Sequence, residues 1–150
     1  MTDAPHGLLR EGPPRLTVEG AQCILQAAIA KAREVGVDMD IAVVDDGGHL
    51  VAFARMDGAK ITSIDIAINK AFTSACTRLP THAYTAAGGA GGPAFGIHAS
   101  NGGRFTIFGG GVPILLKGAC LGAVGCSSGT PEQDRSVAEA GIQMLLGALA

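Results

Sequence analysis

Between Thr17 and Val35 the apolar residues Ala21, Ile24, Leu25, Ala28, Ala32 and Val35 recur at helical spacing. That pattern predicts an amphipathic helix with this face buried, Thr17 as its N-cap and Gly36 as its stop. Ile41–Asp45 and His49–Met56 then read as strands joined around Asp46-Gly47-Gly48, a hairpin signal. In the second strand His49, Val51, Phe53 and Arg55 share one face, and Leu50, Ala52, Ala54 and Met56 the other. Two mostly apolar faces predict cover on both sides, by helices or by a partner subunit.

A second helix is expected from about Thr62 to Arg78, before Pro80. Ile61, Ile64, Ile68, Phe72, Ala75 and Cys76 give its core stripe. Ser63, Ile66, Lys70, Thr73 and Thr77 give another face, which either lines a pocket holding one cation or is solvated. Thr81–Ala87 reads as a short helix, and Gly88–Gly103 as a loop serving as lid, pocket wall or interface segment. Three strands follow at about Arg104–Phe108, Val112–Lys117 and Ala119–Cys126. The last helix, Pro131 to about Leu149, buries Val137, Gly141, Met144, Leu145 and Ala148. Strands that meet in hairpins make the sheet mainly antiparallel and the class α+β.

The 150 residues predict one domain, residues 16–150, behind a loose tail, 1–15. Hydrophobic residues make up 47% and charged residues 16%, which leaves little charge to cover a surface and favours burial in an oligomer. A net charge of -2, 4% aromatic residues and no Trp argue against nucleic-acid partners. No apolar run is long enough for a bilayer and no signal peptide is visible, so a cytoplasmic location is expected. Cys23, Cys76, Cys120 and Cys126 are scattered, and no Cys or His spacing resembles a metal site, so no metal is expected.

The charges are unevenly spread. From Ile66 to Pro131 the only charged residues are Lys70, Arg78, Arg104 and Lys117, a stretch suited to a carboxylate or phosphate ligand. Within it, Gly109, Gly110 and Gly111 permit a close approach to bare backbone. Thr130-Pro131-Glu132-Gln133 carries the signature of a capped helix start. Glu132 and Asp134, in its first turn, either favour the helix dipole or act as a general base or polar clamp. Gly125-Cys126-Ser127-Ser128-Gly129 matches G-x-S-x-G, but no His follows Ser127, and a turn into the last helix is the better reading. His82 and His98 flank the glycine-rich loop, where either can reach a ligand as haem axial ligand or proton carrier. Arg55 and Asp57 either pair with each other or orient a substrate.

IAVVDDGGHLVAFARMDGA, the helix IAINKAFTSA and FGGGVPILLKGACLGAVGCSSGTPEQD resemble the GlcG/HbpS family, a haem-degrading domain related to the C-terminal part of PduO-type proteins. The likeness runs from Leu16 to the C-terminus, and its motifs fall on Arg55, Asp57, Lys70, Gly109 to Gly111, Glu132 and Asp134. The resemblance implies a profilin-like fold, with a central five-stranded antiparallel sheet flanked by helices. It also implies a large homo-oligomer, an octamer in many members, and a small-molecule pocket with haem or corrinoid association in some. Two functions follow. The first, favoured from the sequence, is a cofactor-free catabolic enzyme acting on a small (di)carboxylate by isomerisation, hydration, hydrolysis or dehalogenation. There Lys70, Arg55 and Arg104 meet the anionic ligand, the Gly109–Gly111 backbone holds a developing oxyanion, and Glu132, Asp134 or His98 moves protons. The alternative is a haem- or corrinoid-binding or sensing protein without catalysis.

Overall fold

The computed structural model describes residues 7–9 and 11–150, so the expected tail at 1–15 lies partly outside the described residues. Helix α1 (Val18–Val35) begins where the Thr17 side chain accepts the Gly20 N–H and ends at Gly36 in the left-handed conformation. Strands β1 (Asp40–Asp45) and β2 (Leu50–Arg55) form the expected hairpin. Asp45 Oδ1 closes its turn by accepting the Gly47 and His49 N–H groups, both at 2.9 Å. Helix α2 (Ser63–Thr77) follows, then a 3-10 turn (Thr81–Tyr84) and the short helices α3 (Thr85–Gly88) and α4 (Ser100–Gly103). Strands β3 (Gly111–Leu116) and β4 (Ala119–Ser127) form a second hairpin, and helix α5 (Pro131–Leu149) closes the chain with a complete capping box at Thr130 and Gln133.

The sheet is antiparallel, in the order β2-β1-β4-β3. Among the described residues it has four strands rather than five. Arg104–Phe108, whose alternation reads as a strand, is irregular. Its backbone is held by threonine side chains instead of a neighbouring strand. Thr106 N donates to Thr73 Oγ1 at 3.0 Å, the Thr73 hydroxyl shares its hydrogen between the Asn69 carbonyl at 2.8 Å and the Arg104 carbonyl at 3.2 Å, and Thr85 Oγ1 donates to the Ile107 carbonyl at 2.7 Å. Side chains that satisfy these groups leave no ladder to extend.

One face of the sheet carries Ile41, Val43, Ile114, Val124 and Cys126 against Ile24, Ala28, Val137 and Leu145 of α1 and α5. This is the larger core. In α5, Met144 and Ala148 are exposed, contrary to the expected stripe, and Ala138 and Ile142 are buried. The opposite face is paved with small residues. Gly111, Gly125 and Ala42 stand side by side across β3, β4 and β1.

Helix α2 lies on that floor with its small, polar side down. Ser63, Ala67, Lys70, Ala71 and Ser74 are buried, whereas Ile61 is 75% exposed and Cys76 is exposed. The expected core stripe is thus buried only in part: Ala75 lies in the core and Ile68 packs against it, while Ile61 and Cys76 face outward. Reading the largest apolar side chains as the buried ones fails here because the floor offers no depth for them. A Cβ on Gly125 would overlap the Ala67 carbonyl oxygen, and one on Gly111 the Lys70 carbonyl oxygen. Among the described residues no helix is long and apolar enough to cross a membrane.

Gly125→Ala should lift α2 from the sheet and cost about 3 kcal/mol, the upper range for overpacking. Urea unfolding measures this, and a change under about 0.5 kcal/mol would show that α2 shifts freely.

Candidate functional site

The residues that the fold brings together beneath the middle of α2 are Lys70, Asp134, Gly110 and Phe108. Lys70 is 1% exposed, and its Nζ donates to Asp134 Oδ2 at 2.8 Å and to the Cys126 carbonyl at 2.9 Å. It also lies 5.0 Å from the centre of the Phe108 ring, within cation–π range. Asp134 accepts the Gly129 N–H on its other oxygen at 2.9 Å. Burial pushes the Asp134 carboxyl pKa up, and the Lys70 ammonium opposes that shift. Gly110, at φ 129°, leaves room for the pair: a Cβ there would stand 2.6 Å from Lys70 Nζ and 2.9 Å from Asp134 Cβ.

Two cavities flank this pair, and both are lined by Ile66 and Phe108. The larger, a groove of about 470 Å³, is walled by Ile66, Phe105, Ile107 and Phe108, with Asn69, Thr106, Gly103 and His98 at its edges. His98 is exposed, with its ring edge-on to Phe95 at 6.0 Å between centroids. The smaller cavity, about 290 Å³, is the more polar of the two, although Ile66, Phe108 and Pro131 also line it. Lys60, Thr62, Ser63, Ser127, Ser128 and Gly129 line it, with Lys70 and Asp134.

Ser128 links this second cavity to the sheet. Its Oγ accepts the Lys60 N–H at 3.0 Å and donates to Asp40 Oδ2 at 3.3 Å. Its φ of 113° is unusual for a residue with a side chain. Asp40 is fully buried, and its Oδ1 has no hydrogen-bond partner. Burial raises its pKa, against the opposing effects of the Ser128 hydroxyl and the Arg55 charge. Ser127 Oγ donates to Ser63 Oγ at 3.1 Å, which joins the end of β4 to the first turn of α2.

The residues singled out in the sequence are thus dispersed. Lys70, Asp134 and Gly110 meet, and Gly109 and Gly111 adjoin them. Gly111 N already donates to Thr81 Oγ1 at 2.9 Å. Glu132 is exposed and lines neither cavity. Arg55 and Asp57 line a different cavity, with Arg33 and Asp38. The Arg104 guanidinium stacks on the Phe72 ring at 3.7 Å. His82 lines neither of the two cavities, and its Nδ1 is buried without a hydrogen-bond partner. Ser63 lines the pocket with Lys70, as one reading of that helix face expects, and Ser128 lies in the expected turn into the last helix. Nothing in DGAKITS or VDMD marks Lys60 or Asp40, because they are remote in sequence from Ser128 and meet it only through strand register. Among the described residues no group of three or more His, Cys, Asp or Glu side chains could hold a metal ion.

Comparisons with known proteins converge. The family model for the haem degrading protein HbpS-like family matches residues 16–143. An uncharacterized 15.0 kDa protein from the dhaT-dhaS intergenic region of Citrobacter freundii is 46% identical over 124 residues, 83% of this chain and 87% of that protein. The crystal structure of protein ORFY of Klebsiella pneumoniae superposes with a TM-score of 0.88 at 34% identity, covering 93% of this chain and 97% of that one. A crystal structure of PduOC in complex with haem superposes with a TM-score of 0.83 at 27% identity, covering 87% and 95%.

Lys70→Met or Asp134→Leu alone strands a buried charge and should cost about 3–5 kcal/mol, while the double variant should recover most of that loss. A double-mutant cycle by denaturant unfolding checks it, and additive losses would show the pair to be uncoupled. A carboxyl with a higher pKa folded than unfolded adds stability at low pH, and this is lost as pH rises through the folded pKa. Asp40→Asn, which never ionises, should therefore resist denaturant better than the parent at about pH 7 and lose that advantage by about pH 3.

Proposed function

The chain belongs to the HbpS-like haem-degrading family, and from that premise we propose that it binds haem in the groove between α2 and the segment Ile97–Phe108. One observation carries the reading: an apolar, aromatic-walled groove of about 470 Å³ has an exposed imidazole, His98, at its edge. The residues present fit an iron porphyrin. Ile66, Phe105, Ile107 and Phe108 suit the macrocycle, and the His98 ring offers a nitrogen donor to the iron. Bound haem would supply redox and axial-ligand chemistry at that site. The chain's own part is to exclude water from the macrocycle and to orient the imidazole, which Phe95 supports from the side.

This reading is preferred to the cofactor-free carboxylate enzyme favoured from the sequence. The Lys70 ammonium assigned there to a substrate carboxylate is already engaged by Asp134 and the Cys126 carbonyl. The haem complex of PduOC supports the same preference. The proposal includes a homo-oligomer, an octamer as the finer expectation. Exposed Ile61, Leu50 and Leu115 support a covered surface.

Titrating the purified chain with haem should give a saturable Soret shift. His98→Ala should weaken binding at least about tenfold, a loss of roughly 1.4 kcal/mol or more, and Ile66→Asp should weaken it as well. His82→Ala should leave it unchanged. A shift indifferent to both His98 and Ile66, or no shift at all, would remove the proposal.

A further inference from the structure

We propose that the polar cavity beside the groove is the seat of the ligand's carboxylates, with the Lys60 ammonium as their counter-ion and Ser128 as the residue that positions it. This rests on the haem reading and makes it narrower: the preferred ligand is a macrocycle with free carboxylates, not one whose acid groups are amidated or esterified.

The two cavities share Ile66 and Phe108, so a ligand crossing those side chains passes from an aromatic compartment to one of hydroxyls and cations. An iron porphyrin has that division, an apolar ring with propionates along one edge. Charges in the polar compartment do not cancel. Lys70 is neutralised by Asp134, whereas Lys60 forms no ion pair among the described residues. One positive charge is thus left for an anion. The start of α5 does not fill that role, because the capping box already takes the Thr130 and Gln133 N–H groups.

Ser128 cannot offer its hydroxyl hydrogen to a ligand while it donates to Asp40, and its lone pair takes the Lys60 N–H. Its effect is to pin the Lys60 backbone to the fully buried carboxylate of β1, which sets where the lysine chain leaves the fold. The positive φ at Ser128 is held by these two bonds. Ser63 and Ser127, which are buried and bonded to each other, form a polar floor that suits carboxylate oxygens better than ring carbons.

The experiment titrates the whole chain with haem and with haem dimethyl ester at low salt, following the Soret band. The parent should bind haem about three- to fivefold more tightly than the ester, the size of a solvent-exposed ion pair, and salt should erase the difference. Lys60→Ala should remove that preference without weakening the ester. Lys60→Arg should keep it, and Ser128→Ala should reduce it. If the parent binds both porphyrins equally, or Lys60→Ala weakens both alike, the carboxylate seat is wrong and haem binding stands. If neither porphyrin shifts the Soret band, both are wrong.

Discussion

The Lys70–Asp134 pair sits where four parts of the chain meet. Lys70 comes from α2, Asp134 from α5, the Cys126 carbonyl from β4, and Gly110 and Phe108 from the segment entering β3. Water is excluded from both charged groups, so each depends on the other, and the cost of desolvation is offset only while the geometry holds. That dependence makes the pair a device of registry. The ammonium has three donors, and it meets a carboxylate, a carbonyl and an aromatic face. Phe108 is in turn the wall shared by the two cavities, so the charge at the centre of the fold also sets the shape of the groove.

Small residues make that arrangement reachable. Gly111, Gly125 and Ala42 let α2 approach until its backbone nearly touches the sheet, which brings Lys70 within reach of the end of β4. Gly110 leaves the volume that the pair occupies. The FGGG run therefore acts through what it leaves empty, and one of its N–H groups is already bound to Thr81. The larger apolar side chains of α2 are only half-buried as a consequence, and Ile61, just before the helix, is left as surface for something else to cover.

Local signals were strong enough to place α1, α5 and both hairpins. Thr17, Gly36, the Asp45–His49 turn and the Thr130–Gln133 box are satisfied by atoms within a few residues, so chain neighbours alone determine them. Arg104–Phe108 was misread because its hydrogen bonds go to Thr73 and Thr85, which no short window contains. The buried face of α2 has the same origin. Periodicity shows a helix with two faces, and hydrophobicity turns the buried one partly away from Ser63, Ala67, Lys70 and Ser74 because the floor beneath is set by distant residues.

By itself the amino-acid order determined the three long helices, the hairpins, the antiparallel class and the kinship, since each rests on local hydrogen bonding or on long matched motifs. The importance of Lys70, Gly110 and Asp134 was visible too, as residues that stand out from their surroundings. Tertiary structure alone decided what they do. A lysine facing a carboxylate sixty-four positions away is a clasp, and the same lysine facing solvent would be a binding site. Lys60, Ser128 and Asp40 gained their association in the same way, through the strand pairing that sets Asp40 beside Ser127. Charge and shape at a site depend on distances in space, and strand register and helix depth set those distances.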